Sequence, residues 1–373
     1  MIADRVRMDA YERALRHSIK PGMVVLDIGT GTGILAMLAC QFGARRVYAI
    51  EPSDSIQVAR DLAVANGYAD RIEFIQGLST AITLPERADV IVSDLRGVLP
   101  FFEHHIPSVI DARRRFLAAG GVLIPRKDTC WAVVVEAPKM HREYTAPWDD
   151  NGFGLDMHAA RQLVTNMWRR AQMGPDDVFA VPHCWATLDY ASVESPDVSA
   201  EMTWTPARAG TAHGLCVWFD AMLGDGISVT NAPGGPETIY GNAFFPWSSP
   251  ASLAVGDTVS VVLRADLIAD EYVWRWTTRV MDQGHPDRIK DSFDQSTFHG
   301  APLSPARLRK RAAGYTSTLN EDGQIDALVL DLMGCHTPLR EIARQVSGRF
   351  PTRFPRWQDA LPRAGDLSEK YGL

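Results

Sequence analysis

A strand, a glycine-rich turn and a distant acid together describe a site for a nucleotide-type cofactor. The apolar run 24–28 is rich in β-branched residues and predicts a strand that is buried on both faces. Gly29, Gly31 and Gly33 follow it, and glycines let the backbone turn tightly and approach a ligand without a Cβ. A second apolar run ends in Glu51, whose carboxylate can accept both hydroxyls of a ribose. The spacing therefore predicts a cofactor cradle.

The glycine pattern also narrows the cofactor. A dinucleotide site uses G-x-G-x-x-G, which brings a helix N-terminus to a pyrophosphate. This chain has G-x-G-x-G at 29–33, preceded by Asp27, whose carboxylate can lie beside an ammonium group. A ligand with a cationic amino-acid moiety and no phosphate fits such a site. S-adenosylmethionine matches this description.

Two acids follow the predicted strand 89–93. Asp94 comes directly after it, and Glu103 lies nine residues later. Ligands of open α/β sheets bind outside the carboxyl ends of the strands. These acids are therefore candidates for the acceptor site, which binds the molecule that receives a methyl group from S-adenosylmethionine. Alternatively, Asp94 caps a turn and Glu103 flanks the helix that begins near Ile106. The sequence leaves the orientation of the Arg96 side chain open. If it points inward, it competes for the two carboxylates or binds an anionic acceptor. If it points outward, it is solvated.

The pattern of predicted strands and helices changes along the chain. Alternating strands and helices at 1–126 predict an α/β fold with a Rossmann-like, doubly wound parallel sheet that binds S-adenosylmethionine. Apolar runs within 127–284 predict a β-barrel substrate domain. Residues 155–172 have the spacing of one apolar helical face, which fits either a helix packed in the core of this chain or one that packs on another chain. A basic linker at 285–311 leads to a small helical or winged-helix module at 312–373.

The C-terminal module has its own hydrophobic pattern and a clear helix start. Thr337 is followed by Pro338 and by Glu341 in the first turn, as is typical of a capped helix. The segment resembles the small winged helix that binds peptides in ribosomal-peptide modifying enzymes. Peptide recruitment and a simple helical cap are both open interpretations.

The segments that flank the cradle resemble those of one enzyme family. Residues 1–7 read M-I-A-D-R-V-R, which follows an M-x-x-D-x-V-R pattern, and residues 117–125 read L-A-A-G-G-V-L-I-P. Over about residues 1–280, the order of these motifs resembles that of the protein arginine methyltransferases, which are class I S-adenosylmethionine-dependent enzymes.

The resemblance implies roles for individual residues. Arg7 would grip the cofactor carboxylate, Thr80 would lie where the family uses a glutamate near the adenine amino group, and Trp247 would form a wall that binds the substrate. Asp94 and Glu103 would hold a guanidinium against the sulfonium methyl. Paired carboxylates suit this task because a guanidinium, with a pKa above about 12, must approach a positive sulfonium.

Three acceptor-side positions depart from the family pattern. Asp94 replaces a glutamate, Arg96 stands at a methionine position, and Pro246 replaces a histidine. We therefore expect in-line methyl transfer to a guanidino nitrogen of arginine, either in a peptide or protein or as the free amino acid. One alternative is O- or N-methylation of another acceptor, such as a modified precursor peptide. A second is a catalytically silent scaffold that binds cofactor and partner.

Composition restricts the partners. The net charge is −7, which disfavours nucleic acid as a binding partner. The sequence has neither an apolar run of about 18 residues, as a membrane span requires, nor a secretory signal. A cytoplasmic protein is expected, acting on a peptide, protein or small-molecule acceptor. The resemblance implies a homodimer formed through residues 153–180. The scattered cysteines and histidines lack metal-ligand spacing, so no metal is expected; His104, His105 and His183 are interpreted as structural, and the cysteines as core thiols.

Overall fold

The computed structural model describes residues 2–372, except the side chains of Pro286 and Asp287. The chain forms two compact units, Met1–Pro302 and Leu303–Leu373. Among the described residues, no helix is both long and apolar enough to cross a bilayer.

Five parallel strands form the first sheet, in the order β3-β2-β1-β4-β5. All five residues of β1 are buried, as expected for a central strand covered on both faces. The predicted Rossmann-like sheet is confirmed. Its strands are β1 (Val24–Ile28), β2 (Arg46–Glu51), β3 (Ile72–Gln76), β4 (Ala88–Ser93) and β5 (Leu117–Ile124), and its helices are α1 (Arg5–Ser18), α2 (Ile34–Gln41), α3 (Ser55–Ala65) and α4 (His105–Phe116).

The topology of this sheet brings the predicted site residues to one edge. Strand β1 pairs with β2 on one side and with β4 on the other, and Ile28 lies opposite both Ile50 and Ser93. Gly29, Glu51 and Asp94 stand at or just beyond these positions. The cradle and the acid loop therefore meet at the carboxyl edge of the sheet.

Helix α1 lies next to this edge. Its N-cap is Asp4, whose side chain accepts a hydrogen bond from the Arg7 backbone nitrogen at 3.0 Å. Arg7 and Tyr11 are one turn apart and are both buried. The helix therefore presents a guanidinium and a phenol on the same face.

Two antiparallel sheets follow, which confirms the predicted β-barrel domain. One sheet has six strands, in the order β7-β12-β10-β6-β8 with β11 beside β10, and the other has the order β15-β14-β13-β9. Aromatic side chains fill the core, and Phe245 contacts both Trp274 and Trp276. The strands are β6 (Lys127–Val135), β7 (Arg169–Ala171), β8 (His183–Asp189), β9 (Val198–Trp204), β10 (Gly210–Gly224), β11 (Ile227–Thr230), β12 (Asn242–Leu253), β13 (Thr258–Ile268), β14 (Glu271–Asp282) and β15 (His285–Ser296).

The linker predicted at 285–311 begins too early. Strand β15 lies within that range and pairs with β14, and its Phe293 is buried. Three of the basic residues that suggested a linker, His285, Arg288 and Lys290, lie on this strand, and most of the others lie in or at the end of a short helix at 305–310. The break between the two units falls after Pro302.

The single helix predicted over 155–172 is also wrong in extent. Helix α5 (Pro138–Asp149) ends before this region, which itself contains α6 (His158–Thr165) and then β7. The helix ends because Arg169–Ala171 pair with β12, so that tertiary strand pairing overrides the helical periodicity. Phe153 and Leu155 precede α6 and are 82% and 63% exposed.

The C-terminal unit is helical. Helix α10 buries Ile342, Ala343 and Val346 against the neighbouring helices. No strand occurs in the described part of this unit, which therefore has the helices but not the wing of a winged helix. After the short helices α7 (Thr297–Gly300) and α8 (Pro305–Lys310), the remaining helices are α9 (Glu321–Gly334), α10 (Leu339–Arg349) and α11 (Trp357–Tyr371).

The cysteines differ in their exposure to solvent. Cys40, Cys130 and Cys216 are buried, as the sequence predicts, but Cys184 and Cys335 are exposed. The exposed pair departs from the expectation because Cys184 lies on the outward side of strand β8 and Cys335 follows the end of α9.

Candidate functional site

The glycine turn after β1 adopts a backbone that favours glycine. Gly29, Gly31 and Gly33 have φ angles of 73°, 53° and 80°, all in the left-handed region. A Cβ added to Gly29 would overlap the side chain of Leu95 in the acid loop. Glycine therefore permits both the turn and the close approach of the two loops.

Glu51 braces this turn. Its Oε2 accepts a hydrogen bond from the Gly31 backbone nitrogen at 3.0 Å, and its Oε1 accepts from the Ser53 hydroxyl at 2.7 Å. Its neighbours Ile50 and Pro52 line the cavity described below. The carboxylate stands at the end of β2, as required for a group that binds ribose hydroxyls.

Asp27 has one satisfied and one unsatisfied oxygen. Oδ2 accepts from the Thr30 hydroxyl at 2.6 Å, whereas Oδ1 is buried with no partner among the described residues. Burial raises the pKa of this carboxyl to about 7, although the hydrogen bonds from Thr30 and the Ala36 backbone oppose the shift. A buried acceptor without a partner suits the ammonium group of S-adenosylmethionine, so the residues present fit the cofactor.

Two adjoining cavities lie at this edge. The larger has a volume of about 310 Å³ and is lined by residues of the acid loop, by Ile28 and Ile50, and by the turn after β3. The smaller has a volume of about 80 Å³ and includes Arg7 and the glycine turn. Gly29 and Asp94 line both cavities, which are therefore contiguous across these two residues.

Thr80 does not lie where the resemblance places it. It is exposed and is not part of the cavity wall, whereas Leu78 and the buried Ser79 line the cavity. The short helical turn at Ser79–Ala81 directs Ser79 inward. The polar neighbour available on this segment is therefore Ser79.

Arg7 and Asp94 form a buried ion pair. The Arg7 Nε donates to Asp94 Oδ2, and the Tyr240 hydroxyl donates to both Asp94 oxygens at 2.8 Å. Burial alone would raise the pKa of Asp94, but Arg96 and Arg7 outweigh it and hold the pKa below its usual value. Asp94 is thus an ionised group whose two oxygens are already bound.

Arg96 points inward, which decides between the two orientations considered for it. Its side chain is fully buried, with Nη1 donating to Asp128 at 2.9 Å and Nη2 to the Tyr11 hydroxyl at 2.5 Å. Its Nε lies 3.4 Å from Asp94 Oδ1. Because both ends of its fork are occupied, Arg96 competes for Asp94 and has no free fork for an anionic acceptor.

The network continues beyond Arg96 to a histidine. The Tyr190 hydroxyl donates to Asp128 Oδ2 at 2.7 Å, and it lies 2.8 Å from His105 Nε2. Burial, reinforced by the positive charge of Arg96, lowers the pKa of His105 to about 3. The imidazole is therefore neutral at physiological pH, and it forms part of the larger cavity wall.

Sequence reasoning missed several of these partners. Tyr11 could have been found, because it lies four residues after Arg7 on one helix. Asp128 is an acid inside an apolar strand, which is a weaker signal. Tyr190 and Tyr240 carry no local signal, since the antiparallel sheets bring them to the site from distant positions.

Glu103 is the other predicted acid, and it remains available. It is exposed, lines the larger cavity together with Asp94, and has no hydrogen bond or ion pair in the described part of the chain. Its φ of 43° is unusual for a residue other than glycine. The structure therefore brings both acids to one cavity but leaves only Glu103 free.

Trp247 does not form a wall of this cavity. Its side chain is fully buried and stacks on Phe293, with ring centroids 5.4 Å apart. It lies on strand β12, whose inward side chains fill the core of the antiparallel sheets. The prediction that Trp247 binds substrate is therefore not supported.

No cluster of three or more His, Cys, Asp or Glu side chains in the described residues is arranged to bind a metal ion.

The pKa of Asp27 predicts how cofactor binding responds to pH. Because its folded pKa of about 7 exceeds the value of about 4 for an unfolded aspartate, only the folded protein holds this proton between those values, and stability falls as pH rises from about 4 to about 7. A cofactor ammonium favours the carboxylate, so binding should release a proton and strengthen between pH 5 and pH 8. Calorimetry in buffers with different ionisation enthalpies measures this proton release.

The control for this prediction is Asp27→Asn, which should bind the cofactor more weakly and without proton release. Proton release by the variant equal to that of the wild type would show that another group titrates.

Comparison with known proteins places this site in a family. Residues 9–131 match the model of the family described as "Ribosomal protein L11 methyltransferase (PrmA)". The chain is 45% identical over 307 residues to "Protein arginine N-methyltransferase PRMT10" of Oryza sativa subsp. japonica, a match that covers 70% of this chain and 78% of that protein.

A second relative and a solved structure agree. The chain is 31% identical over 229 residues to "Probable protein arginine N-methyltransferase 6" of Arabidopsis thaliana, covering 59% of this chain and about half, 52%, of that protein. The crystal structure of Arabidopsis thaliana protein arginine methyltransferase 10 superposes with a TM-score of 0.70 and 25% identity, covering 80% of this chain and 96% of that one. The chain therefore belongs to the protein arginine N-methyltransferase family of S-adenosylmethionine-dependent methyltransferases.

Proposed function

We propose that this protein transfers a methyl group from S-adenosylmethionine to a guanidino nitrogen of arginine, in a peptide or protein or as the free amino acid. The observation that carries the proposal is Glu103, a carboxylate without a partner among the described residues, in the cavity that adjoins the one lined by Arg7 and the glycine turn. A carboxylate at this position offsets the repulsion between a guanidinium and a sulfonium and orients the accepting nitrogen.

Asp94 has a different part in this proposal from the one the sequence suggests. Its bonds to Arg7 and Tyr240 anchor the guanidinium that is expected to hold the cofactor carboxylate. Arg7 Nη2 has no partner among the described residues, which leaves it available for that carboxylate. Asp94 then orients the cofactor clamp, and Glu103 binds the acceptor.

The alternative of an anionic acceptor has no supporting contact. It requires a free fork on Arg96, and that fork is bound to Asp128 and Tyr11.

Glu103→Gln tests the proposed reaction. We expect it to lower methyl transfer to arginine peptides by about 100-fold or more, because the substrate guanidinium loses the carboxylate of this cavity wall that has no other partner among the described residues. Cofactor affinity should stay near the wild-type value, since no predicted cofactor residue contacts Glu103. Transfer is measured with labelled S-adenosylmethionine, and binding by calorimetry.

Glu143→Gln is the matched control, an exposed glutamate on α5 that should leave transfer unchanged. The acceptor panel includes arginine peptides, free arginine, lysine peptides and carboxylates. Labelling of another class with none on arginine would overturn the guanidino assignment, and no labelling of any class would favour a silent scaffold.

We also propose a homodimer formed through residues 153–180. Phe153 and Leu155 are large apolar side chains exposed in the irregular stretch that precedes α6, and such a patch costs free energy when it faces water. Burying it against a second copy would remove that cost.

Phe153→Asp combined with Leu155→Asp should convert the protein from a dimer to a monomer of 41.2 kDa, because two buried charges oppose association. Light scattering measures the mass. Ile268→Asp is the control, since Ile268 is 60% exposed on a separate hairpin and should not affect the mass. A wild-type mass of one chain would refute the proposal.

We propose further that the C-terminal unit recruits a peptide substrate. Arg340 and Arg344 lie 5.1 Å and 6.0 Å from the ring centroid of Trp357, which forms a cationic and aromatic surface suited to an acidic peptide segment.

Arg340→Glu combined with Arg344→Glu should raise the KM of a long acidic-flanked arginine peptide about tenfold without changing that of a short one. Steady-state kinetics with both peptides give the comparison. Arg275→Glu combined with Arg279→Glu places the same charge change on exposed positions of β14 and serves as the control. Equal effects of the two double variants would mean that net charge, and not this surface, sets the affinity.

A further inference from the structure

We propose that His105 is a catalytic residue whose Nδ1 accepts the hydrogen bond, and then the proton, of the nitrogen that is methylated. The proposal rests on the guanidino function argued above. It replaces the structural role that the sequence suggests for this histidine.

The first observation is an unsatisfied acceptor in the right place. His105 is 1% exposed, and its Nδ1 is buried without a hydrogen-bond partner among the described residues. The residue lines the same cavity as Asp94, Arg96 and Glu103. Buried polar atoms are normally paired, so an unpaired nitrogen on a residue that lines this cavity indicates a missing ligand.

The second observation is that Asp94 cannot serve as the second acceptor. Both of its oxygens already accept hydrogen bonds, from Arg7, Arg96 and Tyr240. A guanidinium has five N–H donors, of which the Glu103 carboxylate can accept two. A second acceptor is needed to fix the nitrogen that attacks the methyl group, and His105 Nδ1 is unoccupied.

The hydrogen-bond chain fixes the tautomer of this histidine. The Tyr190 hydroxyl has one proton and donates it to Asp128, which Arg96 holds by an ion pair at 2.9 Å. His105 Nε2, 2.8 Å from the same hydroxyl, must therefore donate its own proton. The neutral ring then carries hydrogen on Nε2 and a bare lone pair on Nδ1.

The same chain gives the proton a destination. When the N–CH₃ bond forms and the S–CH₃ bond breaks, the sulfonium becomes a neutral thioether and the nitrogen must lose one proton. His105 Nδ1 takes that proton, the Nε2 proton moves to Tyr190, and the Tyr190 proton moves to Asp128 Oδ2. Once product leaves, the reverse transfer returns the proton to the cavity.

The charges around His105 favour passing the proton on to Asp128 over holding it on the imidazole. Asp94, Arg96 and Glu103 share the cavity wall with His105, exposed His104 precedes it, and Tyr190 and Asp128 lie behind the ring. Burial and Arg96 lower the pKa of His105, so it does not retain a proton, whereas burial raises the pKa of Asp128 despite the opposing charge of Arg96.

Two amide substitutions distinguish this role from a structural one. In His105→Asn the amide reaches the position of Nδ1, and in His105→Gln it reaches that of Nε2 and keeps the Tyr190 contact. Neither amide can take a proton, so we expect both variants to lower kcat for an arginine peptide by about 100-fold or more. The Asn amide oxygen can still accept the hydrogen bond of the substrate, so His105→Asn should keep the KM near the wild-type value, whereas His105→Gln should raise it about tenfold. Cofactor affinity should be unchanged in both. A wild-type kcat in either variant would overturn the proposal.

A measurement on the wild type avoids dependence on the folding of variants. In protein labelled with nitrogen-15 histidine, the His105 Nδ1 resonance should shift when an arginine peptide is added with S-adenosylhomocysteine, and not with a matched lysine peptide. A peptide that binds without moving this resonance would refute the role of His105. Absence of methyl transfer by the wild type to any arginine acceptor would instead refute the function on which the proposal rests.

Discussion

The site depends on one buried chain of ion pairs with alternating charges, which runs from Arg7 through Asp94 and Arg96 to Asp128. These four residues come from α1, from the loop after β4 and from β6, so a single network ties the cofactor domain to the first strand of the antiparallel part. Taking ions out of water costs several kcal/mol each, and partners and hydrogen bonds must offset that cost. Tyr11, Tyr190 and Tyr240 supply the additional hydrogen bonds.

The same network sets the charge that an acceptor encounters. Its two arginines and two aspartates cancel, so among the described residues that line the larger cavity Glu103 supplies the uncompensated negative charge. A methionine in place of Arg96 would leave one aspartate unbalanced behind the pocket. Arg96 therefore balances the buried negative charge behind the pocket. The Asp94 side chain is shorter than that of a glutamate and leaves room for the Arg96 guanidinium.

Local pattern was sufficient for the cofactor half of the site. The strand, the three glycines and Glu51 lie within 28 residues, and their roles follow from backbone geometry that sequence encodes directly. The acceptor half depended on contacts between residues about 80 or more positions apart, such as Arg96 with Tyr11 and Asp94 with Tyr240. Periodicity carries no information on such contacts. For the same reason, the burial of Trp247 and the strand at Arg169–Ala171 could not be predicted.

Glu103 holds a left-handed backbone, which for a residue with a Cβ costs roughly 1–2 kcal/mol. Glycine or asparagine would adopt that conformation at lower cost, so a glutamate here works against its backbone preference. Selection for thermal stability alone would therefore tend to remove the acid that we propose to bind the substrate. Stability and turnover are in opposition at this one residue.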